Sequence, residues 1–127
     1  MADKKELPLA LLEILTKYTD KEHMLTTKEI VTILEEEYSL TCERRTIYSN
    51  IELLRQYGYS IGTWQENNIG YCLLDHKFSV QEATNIIESL KSNSSLTPRE
   101  RKRITLKILS MMSDYQRKEI KNSKTVQ

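Results

Sequence analysis

Glycine is scarce in this chain, with 3 in 127 residues. Their positions, 58, 62 and 70, do not spell a Gly-rich loop that could cradle phosphates. Cysteine and histidine are equally thin, with 2 of each. Cys42 and Cys72 lack C-x-x-C spacing, and His23 and His76 stand alone. Neither a metal centre nor a nucleophile–base pair is therefore spelled. We expect no metal, no cofactor and no enzyme activity. The cysteines read as small apolar fillers in a reducing compartment. No apolar run approaches the roughly 20 residues of a membrane span, and the charged N-terminus has no secretory pattern. A cytoplasmic protein without a membrane partner is the expectation. Strong charge of one sign is also missing: the net charge is +1, whereas a nucleic-acid binder often shows a clear basic excess.

What charge there is lies unevenly. Residues 1–38 hold 5 basic and 9 acidic groups, net −4, whereas residues 79–127 hold 10 and 5, net +5. The densest basic stretch is RERKR at 99–103. Basic side chains at a helix start oppose its dipole, so a second phosphate-binding stretch is one reading. Charge runs are mostly solvated faces, and the solvated face is preferred here.

Pro8 suits the first turn of a helix. That helix is expected to reach Tyr18 with Leu11, Leu12, Leu15 and Tyr18 inward. Thr26 and Glu29 form a T-x-x-E capping box for a second helix that buries Ile30, Ile33, Leu34 and Tyr38. Its far side carries Glu35, Glu36 and Glu37. A turn over Ser39–Cys42 leads to a third helix. There Ile47, Ile51 and Leu54 share one stripe at i, i+4, i+7, and Gly58 stands ready as its left-handed C′ residue. Two extended stretches follow, Tyr59–Gln65 and Ile69–Leu74, with Glu66, Asn67 and Asn68 as turn formers. Ser79 and Glu82 cap a helix that uses Ala83, Ile86, Ile87 and Leu90. Thr97, Pro98 and Glu100 start a last helix expected to run to about Ile120, roughly 35 Å long. Residues 121–127 are expected to be frayed. The fold class is thus mainly α with a small β-hairpin. A winged helix-turn-helix over 1–78 is followed by two C-terminal helices over 79–127.

Two short helices joined by a tight connection, the second presenting arginine and hydroxyl groups, are the pattern of a DNA-reading helix-turn-helix. The order of LTTKEIVTILEEEYSL, RRTIYSNIELLRQYGY and the wing's IGYCL resembles the N-terminal region of WYL-domain transcription regulators, within the DeoR-like winged-helix group. SDYQRKEI is similar to the helical segment that follows in that family. The resemblance implies a DNA-binding regulator. Two departures stand out. The family carries an Arg-Asp pair where this chain has Ser49 and Asn50, which removes a charged DNA contact. The chain also stops where the WYL domain would begin and has no Trp-Tyr-Leu motif, so it is expected to be a short form or a fragment.

The expected DNA-facing residues are Arg44, Arg45, Thr46, Tyr48 and Ser49 on the third helix, with Thr27 and Lys28 at the start of the second. Arginine forks match phosphate oxygens and guanine edges, and hydroxyls donate to phosphate. A solvated pair is the plainer role for the two arginines, and partial burial is the plainer role for Tyr48. Glu52 is expected to pair with Arg45 or Arg55. The wing tip, Gln65 to Asn68, has no cation and reads as a weak DNA element. Ile104, Ile108, Leu109, Met112 and Tyr115 make the last helix broad enough to suggest self-association as a two-fold dimer on double-stranded DNA. A different class remains open: an antirepressor or inhibitor, of the kind a phage or mobile element carries. It would act by binding a full-length regulator or another protein.

Overall fold

The computed structural model describes residues 4–125, with side chains over 5–121. The chain divides into two compact units, Met1–Asp75 and His76–Gln127.

Unit 1 opens with a 3-10 turn, Lys4–Glu6, that leads into α1, Leu7–Tyr18. Pro8 lies in the first turn of α1, where its missing N–H is no loss. The inward face is Leu7, Ala10, Leu11, Ile14 and Leu15. This stripe is rotated from the expected one. Ile14 is fully buried, while Leu12 and Tyr18 only flank the core. α2 spans Thr27–Tyr38 and opens with the Thr26–Glu29 capping box. It ends at Ser39, which takes a left-handed φ of 54°. Leu40 then turns back into the core, its N–H donating to Leu34 O at 3.0 Å.

α3 spans Arg44–Gln56 and buries Ile47, Ile51 and Leu54, as its periodicity requires. It stops in a Schellman motif. Gly58 has φ +101°, Tyr59 N–H reaches Leu54 O at 3.1 Å and Gly58 N–H reaches Arg55 O at 3.0 Å. α1 packs on both α2 and α3. Two reciprocal bonds tie α1 to α2. Tyr18 Oη donates to the Glu37 carboxylate at 2.7 and 2.8 Å, and Tyr38 Oη donates to Glu13 at 2.7 Å. Burial and the facing carboxylates push both phenols up from their ordinary value. Glu37, one of the three acids on the far side of α2, is thus engaged.

The hairpin is smaller than expected. β1, Ile61–Gly62, pairs antiparallel with β2, Cys72–Leu73, in the register Ile61 with Leu73 and Gly62 with Cys72. The stretch expected to stay extended to Gln65 instead turns at Thr63 into a single helical turn, α4, Trp64–Asn67. Thr63 and Glu66 form another T-x-x-E box there. A further pairing, absent from the sequence reading, joins Leu25 to Tyr71 by bonds of 2.9 and 2.7 Å. The hairpin is thereby fastened to the residue just before the α2 cap.

Unit 2 holds three helices rather than two: α5, Val80–Lys91; α6, Pro98–Leu109; and α7, Asp114–Thr125. The single helix expected from Pro98 to Ile120 breaks after Leu109. Ser113 is the reason: its N–H donates to Gln116 Oε1 at 2.9 Å, and its Oγ accepts from Gln116 N–H at 3.0 Å. That S-x-x-Q box starts a new helix. α5 packs on both α6 and α7, around a core of Ala83, Ile87, Ile108, Met112 and Ile120. α7 continues to Thr125 through most of the tail expected to be frayed, whose last two residues lie outside the described ones. Among the described residues, no helix is long and apolar enough to cross a membrane.

Candidate nucleic-acid interface

Everything outward on α3 follows from what is inward. With Ile47, Ile51 and Leu54 buried, a 3.6-residue repeat turns Arg45, Ser49 and Glu52 to the opposite side. Arg44, Arg45, Tyr48 and Ser49 are all exposed, and Thr46 is half-buried. Among the described residues, no ion pair involves Arg44 or Arg45. Arg44, which helical spacing puts nearer the buried stripe, reaches solvent because it starts the helix.

Tyr48 is 44% exposed, and its ring lies 6.2 Å from that of Tyr71 at a 37° tilt. Tyr71 is itself buried, and its backbone pairs with Leu25 just ahead of α2. Burial, reinforced by Tyr48, pushes its phenol above the ordinary value. Tyr71 therefore holds the start of α2 and the outward face of α3 against the hairpin. Sequence reasoning missed this role. The signal was the position of Tyr71 directly after Gly70, whose added Cβ would lie 2.3 Å from Leu25 O. Only glycine allows so close a backbone approach. Lys28 is exposed and Thr27 half-buried at the α2 start.

The hydroxyl expected of Ser49 is less free than its exposure suggests. Ser49 Oγ donates to Thr46 O at 3.0 Å, and Asn50 Nδ2 donates to the same carbonyl at 2.8 Å. To donate to a phosphate, Ser49 must first turn away from that carbonyl.

Further along α3 the charge is neutralised. Arg55 lies 3.8 Å from Glu52 and 3.9 Å from Glu66. These groups, with Tyr48 and Tyr71, border an open hollow of about 430 Å³. Two carboxylates beside one guanidinium make this hollow unsuitable for a phosphate. The Glu66 carboxyl is held below its ordinary value, chiefly by the Thr63 hydroxyl and backbone N–H. α4 is equally self-engaged. Asn67 Oδ1 accepts from Ile69 N–H at 2.7 Å and Gly70 N–H at 2.9 Å, and its Nδ2 donates to Gly70 O at 3.0 Å. Of the expected wing tip, Gln65 and Asn68 are left outward, beside Trp64 and Ile69.

The cysteines are both free. Burial pushes the thiols of Cys42 and Cys72 up from their ordinary value, away from the thiolate that a reactive cysteine needs.

The residues expected on a dimer surface need correction. Ile108 and Met112 are buried within unit 2, and Ile104 and Leu109 pack against the same core. The apolar width of the C-terminal region comes from two helices, not one. Tyr115 alone of the five is exposed, together with Leu106 and Met111.

Compared with protein families, curated proteins and solved structures, the chain matches none.

Proposed function

We propose that this chain is a DNA-binding transcription regulator of the winged helix-turn-helix kind, with α3 lying in the major groove. One observation carries the reading. The first half of α3 presents Arg44, Arg45, Tyr48 and Ser49 to solvent, while its other face is anchored in the core. A helix so anchored is a rigid support for side chains that must meet base edges and phosphates. The arginines supply the charge, and the Tyr71 cluster fixes their platform. α2, a five-residue connection and α3 supply the helix-turn-helix, and β1–β2 the wing. Thr27 and Lys28 would meet the backbone beside the groove, as the first helix of such a pair does.

The test is a titration of duplex DNA at several salt concentrations. Binding should weaken as salt rises, because neutralised phosphates release counterions. Arg45→Ala should cost about 1–3 kcal/mol of affinity if Arg45 reaches a base edge. A smaller loss, equal on all sequences, would place it on phosphate instead. Affinity independent of salt would sink the proposal.

A second reading, an inhibitor that binds another protein, is favoured by the hairpin segment. Residues 59–75 contain no Lys or Arg, and Trp64 and Ile69 are 52% and 59% exposed. A wing built this way suits an apolar partner better than a phosphate backbone. The same titration separates the two readings, since the inhibitor needs no duplex affinity.

A further inference from the structure

Unit 2 carries 11 basic and 5 acidic residues, and α6 concentrates the excess on one side. Arg99, Lys102, Arg103 and Lys107 are all exposed and follow the i, i+3, i+4, i+8 spacing of a single helical face. Arg101, in the middle of the same run, turns away. Its guanidinium donates to Asn93 O at 3.1 Å. The one acid on α6, Glu100, is taken up by the N-cap, accepting from Thr97 N–H at 2.9 Å. Among the described residues, no ion pair involves any of the four outward cations; Arg103 only adds to the field that keeps Glu100 ionised.

Such a face works against its own helix. Cations in the first turn oppose the dipole, and like charges at i, i+4, as in Arg99–Arg103 and Arg103–Lys107, repel. Glu100 in the first turn and Lys107 in the last suit the dipole, but among the described residues no ion pair relieves the mutual repulsion of the four cations, which is what a face built for an external polyanion looks like. We propose that the outward face of α6 is a second DNA-backbone contact, separate from α3, in which Arg99, Lys102, Arg103 and Lys107 neutralise phosphates. From Arg99 to Lys107 the face runs about 12 Å, against one duplex charge per roughly 1.7 Å of axis. Four cations over that length meet a comparable density of phosphates. A lipid surface fits less well. A helix lying on a membrane buries an apolar face in it, whereas Ile104, Ile108 and Leu109 are occupied by the core of unit 2 and only Leu106 lies among the outward cations.

The inference shares with the proposed function only the choice of duplex DNA, and the experiment separates them. The full chain is titrated with a 30-base-pair duplex of arbitrary sequence over a range of salt. Three proteins are compared: wild type, the quadruple variant Arg99→Gln, Lys102→Gln, Arg103→Gln and Lys107→Gln, and the double variant Arg44→Ala with Arg45→Ala. The quadruple variant should flatten the slope of log K against log salt by about 3 to 4, at roughly 0.9 per phosphate contact. Circular dichroism should show its helices intact. Should it unfold, the single variants Arg99→Gln and Lys107→Gln read the same effect, each flattening the slope by about 0.9. A wild-type slope in these variants overturns the α6 contact while leaving α3 untouched. Loss of duplex binding in the quadruple but not the double variant supports α6 and removes α3 as the reader. Wild-type binding to vesicles of phosphatidylglycerol and phosphatidylcholine, without duplex binding, overturns the DNA assignment of α6.

Discussion

Thr19→Val removes one hydroxyl and leaves the shape of the side chain unchanged. Thr19 is fully buried at the end of α1, and its Oγ accepts from Leu73 N–H on β2 at 2.9 Å across 54 positions of sequence. The same hydroxyl donates to Leu15 O. That carbonyl keeps a second donor in the variant, because Thr19 N–H also reaches it at 3.2 Å. The net loss is therefore one buried amide left without a partner. An orphaned donor of this kind costs about 1–3 kcal/mol. A domain of 60–100 residues loses about 4–8 °C per kcal/mol, so a 2 kcal/mol penalty lowers the midpoint by roughly 8–16 °C. The assay is thermal melting followed by the fluorescence of Trp64, the single tryptophan, which lies in unit 1. Thr19→Ser keeps the hydroxyl and should recover most of the loss. If the valine variant melts with the wild type, Leu73 N–H has another partner, and the account of how α1 holds the hairpin is wrong.

Further outcomes follow from the glycines and the short helix cap. Gly58→Ala meets no atom within 4 Å but keeps φ +101°, so it should cost only the left-handed strain, about 1–2 kcal/mol. Gly70→Ala should cost more, since its Cβ would sit 2.3 Å from Leu25 O and must break open the Leu25–Tyr71 bridge; urea midpoints in the reverse order would contradict the geometry. Glu66, held below its ordinary value of 4.5 by Thr63 and Arg55, contributes stability that is fully present above that value and lost as pH falls through the lower, folded one. Glu66→Gln should therefore make Trp64 melting less sensitive to acid below about pH 4.5, and an unchanged acid limb would show that the cap carries no such linkage.

Local chemistry was written in the chain wherever a few neighbouring residues suffice. The boxes Thr26–Glu29, Ser79–Glu82 and Thr97–Glu100 form as spelled, and Gly58 ends α3 in the left-handed turn its position demands. The inward stripe of α3, and with it the outward Arg45 and Ser49, follows from periodicity; Arg44 reaches solvent because it starts the helix, and Tyr48 lies at the edge of the stripe. Two errors were also local. The Thr63–Glu66 and Ser113–Gln116 boxes were legible, but apolar periodicity ran through one, and an alternating pattern through the other hid a helical turn. Periodicity counts residues per turn and cannot see that a backbone donor has been taken by a side chain three positions on.

Tertiary structure alone decided the rest. Leu12 and Ile14 are equally apolar, and only the placement of α2 and α3 around α1 puts Ile14 in the core. Ile108 and Met112 could have been surface or core until the chain turned back at Ser113 and brought α5, α6 and α7 together. The bonds that seat the hairpin, Thr19 to Leu73 and Leu25 to Tyr71, join residues about fifty positions apart. No local preference encodes such pairs. They form because a buried amide must find an acceptor, and which acceptor it finds depends on how the helices have already packed.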